Sequence, residues 1–294
     1  TTGDLNGENN SGGDDAFVAK FNSVGTHIWT QLLGTLENES ADFISLSNDG
    51  SIYVSGGTYG DLEGEINNDG RGDAYVSKLS PEGEKIWTKL LSSSSSSSGW
   101  GKGIAVNSEG SIYQVASWGG DGILTKISPD GTIEWSKVIQ TSEHDNSESV
   151  TISEDGYIYV TGETNGDLNG QTNIGEFDGY LSKFTPNGDL LWTELFGGYS
   201  DDFPHAIDIG NDDSIYVAGL TKGDFNGQIY KGNIDGFLIK MTVNDFLIDE
   251  DSEDIFTPII EWTEIFNSDN LMIRSLAIDK NNNIYFTGGT LNSI

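Results

Sequence analysis

A five-fold recurrence of three anchors constrains this chain more than any other feature. A Trp returns at Trp29, Trp87, Trp135, Trp192 and Trp262. An Ile-Tyr pair returns with Tyr53, Tyr113, Tyr159, Tyr216 and Tyr285. An Asp stands five residues before a Lys at Asp15/Lys20, Asp73/Lys78, Asp121/Lys126, Asp178/Lys183 and Asp235/Lys240. Each repeat must then be one supersecondary unit that covers its apolar face with its neighbours. Spacings run from 46 residues (Tyr113 to Tyr159) to 70 (Trp192 to Trp262), and no 3.6-residue period accompanies them. Helical repeats are thereby excluded.

Four short strand-like segments fit into each repeat. In the second they read "ADFISLS", "SIYVSGGT", "DAYVSKLS" and "EKIWTKLL", separated by turns such as "NDGS" and "PEGE". Gly or Asn stands where a turn wants positive φ. Alternation within the strands is partial, as in sheets covered on both faces. Four antiparallel strands repeated five times predict an all-β fold, a five-bladed β-propeller. The abundance of Gly, 39 residues against 5 Pro, suits many tight turns. The chain begins with a third and fourth strand, "DAFVAKF" and "HIWTQLL", and ends with a first and second, "RSLAIDK" and "NIYFTGGT". The expectation is one domain over 1–294, with blades at about 40–91, 100–138, 147–195, 204–266, and 271–294 completed by 14–33. Two strands from each terminus would then close the ring and remove its exposed edges.

Composition narrows the partners. With 47 acidic against 14 basic residues the net charge is −33, which repels phosphate backbones and anionic lipid. Nucleic acid and membrane insertion are not expected, and no apolar run approaches the roughly 20 residues of a spanning helix. Cys is absent, so disulfides and thiolate metal sites are excluded. The chain lacks an initiator Met and starts inside a repeat, so a mature or excised portion of a longer protein is expected.

Four loops repeat an Asp-x-Asn-Gly theme: "GDLNGENNSGGDDAF", "GDLEGEINNDGRGDAY", "GDLNGQTNIGEFDGY" and "GDFNGQIYKGNIDGF". Two readings stand. Calcium takes six to eight oxygens from carboxylates, amides and carbonyls. Asp4 with Asn6, Asp61 with Glu63, Asp167 with Asn169, and Asp224 with Asn226 are the candidate metal ligands, and calcium is the candidate cofactor. Alternatively the motif is an Asx turn that satisfies its own backbone, which also explains Gly after Asn. The third repeat is an internal control: its loop shrinks to "QVASWGG", yet Asp121 remains. An Asp retained without the rest of the motif is expected to be structural, accepting backbone hydrogens where the strand begins.

A second position varies where the scaffold repeats. Just before the apolar pattern of each first strand stand Asp42, Lys102, Glu148, His205 and Arg274. These are candidate ligand-binding residues at one end of the blades; the alternative is that wet positions are simply polar. Asp42 and Glu148, helped by His205, would be the carboxylates of a glycoside hydrolase were the chain an enzyme, but a non-enzymatic role is expected. Trp100 and Trp118 fall outside the Trp repeat, near Lys102, and are candidate platforms for a sugar ring, with filling of the gap left by the short loop as the other reading for Trp118. The repeated Lys is expected to pair with a carboxylate on a neighbouring strand or blade, and the repeated Trp to pack between blades. The Ser run at Ser92–Ser98 and the acidic stretch "VNDFLIDEDSEDIFTP" read as solvated loops.

The elements "DGSIYVSGGT", "DAYVSK" and "IWTKLL" resemble the bacterial β-propeller repeat family named for seven-bladed propellers. That resemblance covers nearly the whole chain and implies a secreted or surface location of the kind common in cyanobacteria. This chain counts five repeats where the family label implies seven, and no shared catalytic motif accompanies the family. The expected function is an extracellular or cell-surface binding or scaffold module. It would engage a glycan or a surface or matrix component, with calcium assisting and self-association open. A purely structural spacer in a larger adhesin is the alternative.

Overall fold

The computed structural model describes residues 1–67, 70–91, 98–243, 258–266 and 270–290. Most of the Ser run and of the acidic insertion lies outside these. The described chain is all-β, with no helix. β1 (Ala16–Phe21) and β2 (His27–Leu33) form a two-stranded sheet. β3 (Glu39–Leu46), β4 (Ile52–Thr58), β5 (Asp73–Leu79) and β6 (Lys85–Leu91) form a four-stranded meander. The same order recurs in β7 (Gly99–Val106), β8 (Ile112–Trp118), β9 (Asp121–Ile127) and β10 (Ile133–Ile139). It recurs again in β11 (Asp145–Ile152), β12 (Ile158–Thr164), β13 (Asp178–Phe184) and β14 (Leu190–Phe196). The last full sheet holds β15 (Asp202–Ile209), β16 (Ile215–Thr221), β17 (Asp235–Thr242) and β18 (Ile259–Phe266), and β19 (Leu271–Ile278) pairs with β20 (Ile284–Thr290). Each expected strand is thus present in place. The terminal pairs stand as separate two-stranded sheets, so the joined fifth blade is not among the four-stranded ones.

The strands fall into two compact units, residues 1–119 with 123–137, and residues 120–122 with 138–294. In the first unit Ala16, Val18, Leu33, Ile52, Val54, Tyr75 and Leu79 make one core between neighbouring sheets, and Tyr53, Val76, Ile112, Ala116 and Trp118 make the next. In the second unit Tyr159, Leu181, Phe196, Val217, Phe225 and Phe237 do the same. The second strands β4, β12 and β16 are buried along their whole length, because sheets cover them on both faces. That explains their near-continuous apolar and small-residue sequence.

The repeated Tyr, Lys and Trp are register partners across three strands. Tyr53 faces Lys78, which faces Trp87; Tyr159–Lys183–Trp192 and Tyr216–Lys240–Trp262 repeat the row. Tyr and Trp centroids in these rows lie 6.1–6.2 Å apart. The ammonium stands 5.3–5.9 Å from the Tyr centroid, within cation–π reach. In the first unit the row also reaches the neighbouring sheet. Lys20 Nζ and Trp29 Nε1 donate to the Pro81 carbonyl at 2.7 and 3.3 Å, and Lys78 and Trp87 both donate to that of Pro129 at 3.1 Å. Gly83 lies beneath the Trp29 ring, with room for no Cβ: one would stand 2.7 Å from it. The expected carboxylate partners occur at Lys126, 3.0 Å from Glu134, and at Lys240, 2.9 Å from Glu261 and 3.3 Å from Asp212. Lys20 and Lys78 instead give their protons to proline carbonyls.

The first strand of each sheet breaks register at one place. The shifts fall between Ala41 and Phe43, Gly101 and Ile104, Ser147 and Ser149, Pro204 and Ala206, and Ile273 and Ser275. Each is a β-bulge, in which the extra residue leaves the ladder and the strand bends. Opposite the bulge the second strand carries Gly56, Gly162, Gly219 or Gly288, where a Cβ would stand 1.9–2.1 Å from the carbonyl oxygen of Ser40, Asn146, Phe203 or Met272. The third sheet has Ala116 at this position and moves the glycine across, to Gly101. Gly162→Ala should therefore destabilise the protein by about 1–3 kcal/mol through overpacking, read as a fall in the urea midpoint with unchanged slope.

Candidate functional site

The residues skipped at the bulges are Asp42, Lys102 (with Gly103), Glu148, His205 and Arg274, the five ionisable positions that differ between repeats. Bulges re-aim side chains out of the sheet's alternation, so one irregular residue per sheet is freed from the ladder. Asp42 and Arg274 are exposed, and Lys102, Glu148 and His205 are half-buried. Asp42 accepts a hydrogen bond from Ser40 Oγ at 2.8 Å and borders a groove lined by Phe17, Ala41, Phe43 and Ile44. His205 Nδ1 lies 2.9 Å from the Ile273 carbonyl, which orients its ring. Sequence variation located this row. It could not show the bulge, because an inserted residue leaves no mark in a period-two pattern this short.

The Asp-x-Asn-Gly loops are turns in every described copy. Asn6, Glu63, Asn169 and Asn226 sit at φ 46–52°, and the following Gly7, Gly64, Gly170 and Gly227 at φ 78–94°. Two successive positive φ values define a type I′ turn, the reason for Asn-Gly. Asn6 Nδ2 donates to Thr30 Oγ1 at 2.9 Å and Asn169 Nδ2 to Thr193 Oγ1 at 2.8 Å, while Asn226 reaches Thr263 at 3.4 Å. Glu63 pairs with Lys85 at 2.5 Å. The first Asp ties the loop across six residues: Asp4 accepts from Asn10 N, Asp61 from Asn67 N, Asp167 from Asn173 N and Asp224 from Tyr230 N, at 2.9–3.0 Å. The residue between Asp and Asn plugs the core, with Leu62, Leu168 and Phe225 fully buried. Turn chemistry accounts for each conserved element of the motif. Among the described residues no three His, Asp or Glu side chains are arranged to hold a metal ion.

Comparison with known proteins bears on the fold. Residues 135–169 match the family model described as a beta-propeller repeat, SBBP. That stretch, from Trp135 to Asn169, carries the beta-propeller repeat. A crystal structure of a protein of unknown function from Bacteroides caccae is similar at TM-score 0.53 and 11% identity, covering 94% of this chain and 80% of that one. A protein from Lactobacillus plantarum is similar at TM-score 0.50 and 13% identity, covering 88% and 67%. In sequence, 71 residues are 32% identical to Regulatory protein FlaEY of Caulobacter vibrioides, which is 24% of this chain and 7% of that protein. The match thus spans a small part of that relative. Among the described residues no helix is long and apolar enough to cross a membrane.

The two unrepeated tryptophans part ways. The expected short loop around Trp118 is strand: β8 runs to Trp118 and turns through Gly119 and Gly120, at φ 63° and 97°. Trp118 is 5% exposed, packs in the core and lies over Gly99, where a Cβ would meet its Nε1 at 1.5 Å. It fills the gap and offers no face to a ligand, which corrects its place among the ligand candidates. Trp100 is half-buried, leans on Gly57 and meets the edge of Tyr59 at 5.3 Å, with Tyr59 37% exposed. The aromatic pair Tyr59–Trp100 is the surviving stacking surface.

The strand-opening Asp is structural, as expected, and only half used. Asp15 Oδ2 accepts from Ser11 N at 2.8 Å, Asp178 Oδ2 from Ile174 N at 2.7 Å, and Asp235 Oδ2 from Lys231 N at 3.0 Å. In each of the three, Oδ1 is buried without a hydrogen-bond partner. Asp202, which opens β15, likewise accepts from Gly198 N at 2.7 Å through Oδ2 and leaves Oδ1 buried and unpartnered. Burial pushes the Asp178 carboxyl up against the pull of the Ile174 and Gly175 N–H groups. Burial pushes Asp202 up to about 7, with the charges of Asp178 and Asp201 adding to it and Thr221 and Gly198 opposing. Nothing in one-dimensional spacing marks these oxygens as unsatisfied.

Two measurements check this assignment. Trp118→Ala should cost about 3–5 kcal/mol of stability as a core truncation, measured by urea unfolding. Asn169→Ala, which puts a non-glycine side chain without its anchor at positive φ, should cost about 1–2 kcal/mol in chelator-treated protein.

Proposed function

We propose that this propeller is a non-enzymatic binding module of an extracellular or cell-surface bacterial protein, engaging a glycan or another surface or matrix component. The observation that carries this reading is the bulge in each first strand. A repeated irregularity presents a different ionisable side chain each time, which separates recognition from scaffold. Tyr59–Trp100 supports a sugar as the ligand, since an aromatic face beside polar groups suits a pyranose ring. We further propose one closed five-bladed ring, with β20 and β1 joining the terminal pairs. In support, both strands carry exposed apolar residues that pairing would cover, Phe17 (51%) and Phe21 (57%) on β1, Tyr285 (58%) and Phe286 (38%) on β20. Calcium at the opening loops belongs to this reading as an assisting cofactor.

A second reading, a structural spacer or self-assembling unit, is favoured by the loops themselves, whose side chains satisfy their own turns. A glycan array on the folded protein separates the two. A bound glycan whose affinity falls about tenfold in Trp100→Ala, the scale of one lost aromatic contact, supports the binding module. An array without hits, or hits indifferent to Trp100, Lys102 and Glu148, leaves the spacer. Turnover of any polysaccharide that Asp42→Asn or Glu148→Gln abolishes would overturn both.

A further inference from the structure

Asp178 and Asp202, two of the buried carboxylates of the second unit that keep an unpartnered oxygen, stand beside one space. An ideal Cβ on Gly175 would stand 2.7 Å from Asp178 Oδ1, 2.7 Å from the Gly198 carbonyl oxygen and 2.9 Å from the Ser200 carbonyl oxygen. Three oxygens thus face one point that only a glycine leaves open. An ideal Cβ on Gly197 would lie 2.5 Å from Asp202 Oδ2 and 3.1 Å from Asp178 Oδ1, so the two carboxylates stand side by side. Asp178 and Asp202 are each 1% exposed; Asp178 Oδ1 has no hydrogen-bond donor, and Asp202 turns Oδ2, which accepts from Gly198 N, toward it. Burying an ionised carboxylate without a partner is costly, and two adjacent ones repel. A cation placed among them answers both costs.

We propose that Asp178 and Asp202, with the carbonyl oxygens of Gly198 and Ser200, form a divalent-cation site suited to calcium. All four ligands are hard oxygens, two of them anionic, which is the calcium pattern. The set lies apart from the Asp167 and Asn169 side chains of the opening loop, which are engaged in their own turn. The other repeats show what is particular to this one. At the corresponding place in the first unit Asp15 Oδ1 is also unpartnered, and a Cβ on Gly12 would meet the Thr35 carbonyl at 2.5 Å. There, however, Glu39 replaces the second Asp and is fully engaged by Thr35 N, Thr35 Oγ1 and Thr58 Oγ1 at 2.6–2.7 Å. Asp145, in the next repeat, has both oxygens taken by Thr141 and Thr164. In this repeat the unpartnered Asp178 oxygen stands beside a second Asp whose loop partner, Gly198, brings no hydroxyl.

The site is independent of glycan binding and of calcium at the opening loops, so its failure would leave the proposed function standing. The test is a calorimetric titration of chelator-treated protein with calcium alone, at pH 8 and with magnesium as control. The expected result is a saturable calcium heat with a dissociation constant of about 0.1–1 mM, the range of extracellular modules, and a raised melting temperature. Asp178→Asn and Asp202→Asn should each weaken it by at least the ~10-fold that even outer-shell losses cause, while Asp167→Asn leaves it unchanged. No calcium heat, or heat that survives both substitutions and vanishes in Asp167→Asn, overturns the proposal. Should either variant fail to fold, a crystal structure of the unaltered protein grown in calcium decides. An ion within about 2.3–2.6 Å of Asp178 Oδ1 supports the site, and no ion there rules it out.

Discussion

The Tyr–Lys–Trp row is the contact on which the remaining structure depends. It spans the second, third and fourth strands of a sheet at directly opposed positions, so a one-residue slip in any pairing would break it. The ammonium stands over the Tyr ring and donates to a carbonyl or a carboxylate. In the first unit the same Lys and Trp reach a proline carbonyl in the turn of the neighbouring sheet. One row therefore sets register within a sheet and contact between sheets. That double duty explains why five of only fourteen basic residues occupy this position.

The bulges show how such a scaffold leaves room for variation. The buried second strand pairs with the third without a break, and register shifts fall in the pairings on either side of it. A glycine or its exchange partner across the strand, as at Ala116 and Gly101, absorbs the close carbonyl. The residue skipped by the ladder lies outside the buried core, exposed at Asp42 and Arg274 and half-buried at Lys102, Glu148 and His205. It can be Asp, Lys, Glu, His or Arg without disturbing the core, which is why this position differs in every repeat.

Length and charge divide the labour of the acidic residues. In the opening loops the first Asp finds a backbone donor six residues on, and the Asn finds a Thr hydroxyl, so their polarity is spent locally. The strand-opening Asp is pulled deeper by the strand that follows it and satisfies one oxygen only. What distinguishes the Asp178–Asp202 pair is Gly198, which gives Asp202 an N–H alone where Thr35 and Thr141 give Glu39 and Asp145 a hydroxyl as well.

By itself the sequence determined the strand content, the four-strand units and the position of the varying side chains. These rest on local patterns: a period of two, Asn-Gly turns, and anchors repeated at one place in each unit. Trp118 was ambiguous, because an aromatic beside two glycines can end a strand or cap a loop, and only packing over Gly99 makes it core. Tertiary structure alone decided the bulges, the carbonyl partners of Lys20 and Lys78, and which carboxylate oxygens lack a donor. Each depends on atoms brought together from separate strands, and the spacing of residues along a chain carries no record of which lone pairs remain unused once it has folded.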